Sequence, residues 1–252
     1  MDIVWVYGLI SVTLVSLVSL VGVVIFVVSD VLLKRWIFAL VAMSAGALFG
    51  DVFIHLVPEL FLDAAYPLPL SLSILGGIVL FFMLEKFLRW HHCHDMDEHE
   101  PAHSKAHIGQ LNLISDAVHN LVDGLFIGIS YTLSIPVGIA TTVAVFLHEV
   151  PQEIGDFGIF LHAGFSKRKA LFLNFISALF AVFGTLIALY WGNNLAGFSE
   201  VVLPLMIGMF IYIAGSDLVP ELHKTTRLKT SLEQLFFLLI GILFMVALTF
   251  FD

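Results

Sequence analysis

His119-Asn120-Leu121-Val122-Asp123-Gly124 and, further along, His148-Glu149-Val150-Pro151-Gln152-Glu153-Ile154-Gly155-Asp156-Phe157 set metal-binding side chains into segments that are otherwise apolar. On a helix, residues four apart lie on one face. His119 therefore pairs with Asp123 and His148 with Gln152, while Asn120 and Glu149 sit one step round. Two such helices packed side by side would enclose a divalent cation with imidazole and oxygen ligands. A lone His or Asp at a helix interface is commonly no more than hydrogen-bonded. A whole cluster is different, because an ionisable side chain at bilayer depth costs about 2.5–3.5 kcal/mol on insertion scales and is seldom kept without a partner or a pathway.

The surrounding composition supplies the bilayer. With 60% hydrophobic and 12% charged residues and a mean hydropathy of +1.02, the chain has the makeup of an integral membrane protein rather than of a soluble domain. Ile3 to Ser29 carries no charge and has neither a basic residue ahead of it nor a small-residue cleavage site. It is expected to stay as a spanning helix rather than to leave as a signal peptide. The single cysteine, Cys93, excludes an intramolecular disulfide, so the fold must hold by helix packing. A net charge of −9, without a basic stripe interleaved with aromatics, gives no support for nucleic-acid binding.

A span needs about 20 mostly apolar residues. Eight candidates fill the chain, at approximately 3–29, 36–60, 64–84, 108–131, 136–162, 170–192, 201–221 and 233–251. The basic residues test this count. Lys34 and Arg35 follow the first segment, Lys86, Arg89 and Lys105 the third, Lys167 to Lys169 the fifth, and Lys224, Arg227 and Lys229 the seventh. All 11 Lys and Arg thus fall in loops of one parity, which the positive-inside rule makes cytoplasmic. Both termini are then outside. The opposite face carries acids near its loops, namely Asp2, Glu59, Asp63, Glu200 and Asp252, a weak attraction for incoming cations.

The second and seventh segments end alike, in His55-Leu56-Val57-Pro58-Glu59-Leu60 and Asp217-Leu218-Val219-Pro220-Glu221-Leu222. One copy ends at the outer face and the other at the inner face. The expected architecture is therefore an all-α integral membrane protein of eight transmembrane helices in a 3+2+3 arrangement, with an inverted repeat of the outer triplets. Residues 1–252 form one transmembrane domain. Within it, the cytoplasmic loop 85–107 holds six of the 11 histidines, from His91 to His107, beside Cys93, Asp95, Asp97, Glu98 and Glu100. Such density suits zinc and similar ions, but no spacing fixes a tetrahedral set. Pro151 interrupts the fifth segment, where its ring removes one donor and displaces the carbonyl of Leu147.

These residues carry a resemblance. His119-Asn120-x-x-Asp123-Gly124 together with His148-Glu149-x-Pro151-x-Glu153-x-Gly155-Asp156-Phe157 resembles the signatures of the ZIP (Zrt/Irt-like) family of divalent-metal transporters. Gly50-Asp51-x-x-x-His55-Leu56-x-Pro58-Glu59 in the second segment, Gly208-Met209-Phe210 and Asp217-x-x-Pro220-Glu221 in the seventh, and the His-rich loop after the third are similar to the same family. The resemblance implies uptake of zinc, and in some members iron, manganese or cadmium, toward the cytoplasm. It implies a first metal site at His119, Asp123, His148 and Gln152, and an adjacent one at Asn120 and Glu149; from the residues themselves, Glu153 is added to the second if the Pro151 kink turns it inward. Gln152 departs from the His or Glu common at its position and is a weaker, neutral ligand. Asn174 is the one strongly polar candidate in the sixth segment, which has no acid from Ala170 to Trp191.

The expected function is transport of Zn2+, or of Fe2+, Mn2+ or Cd2+, as substrate by alternating access through a cell (plasma or inner) membrane. No organic cofactor is expected, the partners are the metal ions and the lipid bilayer, and a homodimer is left open. One rival is a zinc-dependent intramembrane hydrolase, since His148-Glu149-x-x-Gln152 is one residue from the HExxH motif. Gln152 in place of the second His and the proline inside the motif argue against an enzyme. A metal sensor that binds without transporting is the other rival. The topology gives a first prediction: a membrane-impermeant maleimide labels Cys93 from the cytoplasmic side alone, and a tag placed after Asp252 is accessible from outside. A cytoplasmic tag would break the eight-segment count.

Overall fold

A computed structural model of the protein describes residues 3–26, 30–61, 67–94, 101–194, 198–225 and 227–251. Among the described residues the chain is helical throughout, and we number its long helices α1 to α8. Helix α1 runs over Ile3–Ser16 and tightens into a 3-10 turn at Leu17–Phe26. Helix α2 (Asp30–Gly50) passes through a π-helical segment, Asp51–Leu56, into Val57–Phe61. Then come α3 (Pro67–His94), α4 (Pro101–Leu133), α5 (Ile135–His162) and α6 (Lys167–Asn194). Helix α7 (Phe198–Ile213) passes through a second π segment, Ala214–Leu218, into Val219–His223, and α8 covers Leu228–Leu248 with a 3-10 end at Thr249–Phe251.

Seven of the helices contain stretches long and apolar enough to cross a membrane, from Ile3–Val23 to Leu228–Leu248. The remaining one, α5, carries Glu149, Gln152, Glu153 and Asp156, which lower its apolarity, and it buries His148, Glu149 and Glu153 among its neighbours. The chain is an all-α membrane protein. Helices α3 and α4 both reach into the expected 85–107 loop, to His94 and from Pro101. Residues 95–100 and the side chains from 88 to 108, which include all the loop histidines and Cys93, lie outside the described residues. Local chemistry sets several boundaries. Helix α5 starts where Ser134 accepts a hydrogen bond from the Val137 N–H at 3.2 Å, with a proline in the first turn. The 3-10 part of α1 begins beside Ser19, whose hydroxyl donates to the Ser16 carbonyl three residues back.

The two Val-Pro-Glu-Leu copies have the same backbone. Each follows directly on a π segment, Asp51–Leu56 in one case and Ala214–Leu218 in the other. A proline ring clashes with the carbonyl four residues earlier. For Pro58 and Pro220 those carbonyls belong to Ile54 and Ser216, inside the widened turns that relieve the clash.

Packing repeats as well. Helix α2 lies along α8 and α3 along α7, two pairs that exchange if the first triplet is matched to the last. Each pair is joined by reciprocal glycines. A Cβ on Gly46 would strike the Leu238 carbonyl and one on Gly241 the Met43 carbonyl; a Cβ on Gly208 would strike the Ile74 carbonyl and one on Gly77 the Leu205 carbonyl. Gly46 precedes Pro58 by the same interval that separates Gly208 from Pro220. The central helices α4 and α6 are joined in the same manner by Gly124 against the Ala181 carbonyl and Gly184 against the Leu121 carbonyl.

Without hydrophobic drive between helices in lipid, such backbone contact is a main source of cohesion. Gly208→Ala is therefore expected to lower the melting temperature in detergent by several degrees, through an overpacking penalty of roughly 1–3 kcal/mol. Gly158→Ala, where an added Cβ meets nothing within 4 Å, should leave it unchanged or slightly raised. Equal melting temperatures for the two variants would mean that the glycine pairs do not hold the helices together.

Candidate metal centre

Helices α4 and α5 face each other with the two signature stretches at one level. His119, Asp123, His148 and Glu149 each offer one ligand atom, and the four atoms lie within 4.8 Å of one another. His148 Nε2 stands 3.0 Å from Asp123 Oδ2 and 3.6 Å from Glu149 Oε1. His119 Nε2 stands 3.4 Å from His148 Nε2 and 3.5 Å from both Asp123 Oδ2 and Glu149 Oε1. A tetrahedral ion with bonds of about 2.0–2.1 Å holds its ligand atoms roughly 3.3–3.4 Å apart. The observed separations scatter around that value, so the cluster is close to the size of one coordinated cation.

Burial and orientation support the same use. Asp123, His148 and Glu149 are buried, and His119 keeps 12% side-chain exposure, making it the ligand that solvent reaches first. His148 Nδ1 lies 3.1 Å from the Ala144 carbonyl one turn back. A proton on Nδ1 donated there fixes the ring and directs Nε2 into the cluster. Phe210 meets the edge of the His148 ring and Phe81 that of the His119 ring. Asp123 Oδ1 and Glu149 Oε1 have no hydrogen-bond partner in the protein. Two carboxylates in contact with two imidazoles, with acceptor oxygens to spare beyond the bonds within the cluster, form a donor set that suits a divalent cation.

The other candidates have the following surroundings. Asn120 is buried and donates to Asp116 Oδ1 at 2.9 Å, leaving its own Oδ1 without a partner. Glu153 is fully buried, as an inward-turning kink requires, and both of its carboxylate oxygens lack a partner. Gln152 lines a cavity together with His119. Asn174 of α6 is buried and donates to the backbone carbonyl of Glu153 at 3.1 Å. Sequence reasoning missed Asp116, which also accepts from Ser177 of α6, and Asn112, which donates to Asp156 at 3.1 Å. Their spacing was the available signal, since Asn112, Asp116 and Asn120 recur every four residues along one face of α4.

The cavity has a volume of about 570 Å3 and runs from His119 to one end of the bundle. Its walls come from the early parts of α2 and α4 (Ile37, Val41, Asn112, Asp116) and the late parts of α3, α5 and α7 (Glu85, Asp156, Asp217, Glu221). With these alternating directions, the open end is the one to which all the Lys and Arg belong. Tyr212 donates to Glu85 at 2.6 Å on the cavity wall. In the opposite direction the bundle is closed by buried apolar side chains including Val52, Ile127, Val145 and Met206, and by Phe126 stacked on Phe210 with ring centroids 3.5 Å apart.

A sequence model of the family described as ZIP zinc transporter matches residues 2–107 and 89–249, nearly the whole chain. The chain belongs to the ZIP zinc transporter family. It is 30% identical to the metal cation symporter ZIP14 of Xenopus tropicalis over 89% of its own length and 63% of that protein's. It is 30% identical to the zinc transporter zipt-7.2 of Caenorhabditis elegans, over 84% of this chain and 58% of that one. With the zinc transporter ZIP13 of Pongo abelii the identity is 34% over 84% of this chain and 66% of the relative. The chain thus spans about three-fifths of the length of the curated relatives it matches.

Within this ZIP chain, the geometry ranks the signature residues. Glu149→Ala removes one of four converging ligand atoms and is expected to weaken zinc binding by roughly 10–100-fold, whereas Gln152→Ala, which removes a neutral and weaker donor, should change it less than about threefold. Binding should also weaken as pH falls. Imidazole and carboxylate must be deprotonated to bind metal, so each displaced proton costs up to about tenfold in affinity per pH unit below the pKa of its group. Isothermal titration of the purified protein between pH 7.5 and 5.5 checks both statements; a larger loss from Gln152→Ala than from Glu149→Ala would overturn the ranking.

Proposed function

We propose that this chain carries divalent metal cations, zinc foremost, across a cell membrane toward the cytoplasm by alternating access. The carrying observation is the buried His119, Asp123, His148 and Glu149 cluster at the blind end of an acid-lined cavity that opens at the basic end of the bundle. By the charge rule that end is cytoplasmic, which makes this an inward-facing arrangement. Metal is the substrate. It is held by the four converging residues, with Asn120, Gln152 and Glu153 serving the passage from the cluster to the cavity. Nitrogen and oxygen ligands of this kind also accept Fe2+, Mn2+ and Cd2+, and the names of the relatives, zinc transporter and metal cation symporter, support the same substrate class.

Alternating access needs one group of helices to move against another. The reciprocal glycine contacts support α2 with α8 and α3 with α7 as firmly joined pairs, and α4 with α6 as another. The α4–α6 pair brings His119 and Asp123, so a unit containing it carries the ion while the α2–α8 and α3–α7 pairs stand as scaffold. A hydrolase fits the same residues less well. Glu149 Oε1 lies 3.5 Å from His119 Nε2 and 3.6 Å from His148 Nε2, a position that suits a ligand atom rather than a base held clear of the metal.

Purified protein in sealed liposomes should take up radiolabelled zinc down a gradient. His148→Ala and Asp123→Ala should lower the rate at least tenfold, while replacing the histidines from His91 to His107 should leave most of it. Stoichiometric zinc binding without flux would instead make the protein a sensor, and near-normal flux by His148→Ala would remove the cluster from the pathway.

A further inference from the structure

Pro151 stands one turn after Leu147 and brings no N–H to the Leu147 carbonyl, which directly precedes His148 in the chain. That carbonyl is nevertheless occupied. Ser44, on α2 and fully buried, places its Oγ 2.6 Å from the Leu147 oxygen. The same Oγ lies 2.7 Å from the Leu40 carbonyl, the usual acceptor for a serine four residues on in a helix. One hydroxyl proton thus faces two carbonyls. The one it holds across the helix interface is the one left without its helical donor by the proline in the metal motif.

We propose that Ser44 is a positioning residue for the metal centre: by occupying the Leu147 carbonyl it holds the His148 turn of α5 in the orientation that brings Nε2 to the ion. The proposal rests on the transport reading for its substrate. The physical link is short. The Leu147 carbonyl and the His148 ring belong to adjacent residues, so rotation of the freed peptide turns the imidazole. Within α5 the His148 ring is held by its Nδ1 contact to Ala144, one turn earlier, and Ser44 supplies a constraint on the backbone from outside the helix. Ser44 itself and its chain neighbour Ala45 are fully buried, as is Ala144 one turn before His148, a setting in which an unoccupied carbonyl is unfavourable. The hydroxyl's second acceptor on its own helix lets α2 give up the bond without leaving a buried donor unpaired.

The test uses the full chain and zinc. Ser44→Thr keeps the hydroxyl and Ser44→Val keeps the added bulk without it, so the two differ in one donor. With the donor lost, zinc affinity of the solubilised protein should fall about five- to tenfold, in line with one buried hydrogen bond. In liposomes the KM should rise by the same factor, with the maximal rate changed less than about twofold. Ser44→Thr should lie much closer to wild type than Ser44→Val. A coupled variant sharpens this. Pro151→Ala returns an N–H to the Leu147 carbonyl, so in that background Ser44→Val should lose most of its effect. Equal KM and affinity for Ser44→Thr and Ser44→Val, in protein whose parent transports zinc, would overturn the proposal. So would an undiminished Ser44→Val effect beside Pro151→Ala. Failure of the parent itself to bind or move zinc would instead overturn the transport reading.

Discussion

Two carboxylates and two imidazoles forced together in an apolar bundle set the terms for the rest of this structure. Asp123 and Glu149 both lie within 3.6 Å of His148 Nε2, and each keeps an oxygen without a hydrogen-bond partner in the protein. In a low-dielectric interior like charges this close repel strongly, and orphaned acceptors add a desolvation penalty. Such a cluster is maintained where the surrounding helices over-determine it and where a positive charge, a proton or a cation, offsets the repulsion. A divalent cation meets the second condition. The packing meets the first.

The over-determination is visible in how the ligand helices are gripped. On α4, Gly124 follows Asp123 directly and packs against the Ala181 carbonyl, so the residue beside a ligand is the one pressed onto α6. Thr185 of α6 then donates to the Gly124 carbonyl at 2.9 Å. On α5, the ligand turn is looser in its own backbone because of Pro151, and is held from outside by Ser44 and Asn174. One ligand helix is fixed by close backbone approach and the other by side-chain hydrogen bonds from two different neighbours. Gly155 and Gly158, on the α5 stretch beyond the ligands, meet no neighbour that an added Cβ would touch. The segment beside the cavity thus retains the freedom that the α4 segment lacks.

Much of this was legible in the sequence because hydrophobicity and spacing report on single helices. The helical segments, the pairing of His119 with Asp123 and the repeat around Pro58 and Pro220 all come from local pattern. What stayed hidden depends on which helix lies opposite. Spacing places Gln152 on the same face as His148, but that Glu149 also meets His119 depends on the rotation of α5 about its axis, which is set by its contacts with α2 and α4 and not by its own periodicity. Asp116 went unremarked because its partners, Ser177 and Asn120, are supplied partly by α6. Ser44 carries no signal of its own in the sequence. Its role follows from a carbonyl that a proline one hundred residues away leaves free.

The cavity bears on how an ion leaves a site that binds it well. An ion held by two imidazoles and two carboxylates gains little by stepping into bare apolar space, so its release needs replacement ligands within reach. Asp116 lines the cavity beside His119, with Asp156, Glu85, Asp217 and Glu221 farther along its walls. These groups are carboxylates, and oxygen donors of this type hold zinc less firmly than nitrogen or sulfur donors do. The arrangement therefore passes from mixed nitrogen and oxygen ligands at the buried end to oxygen ligands near water. His119, the ligand with residual exposure, stands at the boundary between the two. On the transport reading proposed above, Asp116 would be the oxygen donor that an ion leaving His119 meets first in the cavity, with Asp123, His148 and Glu149 remaining at the buried end.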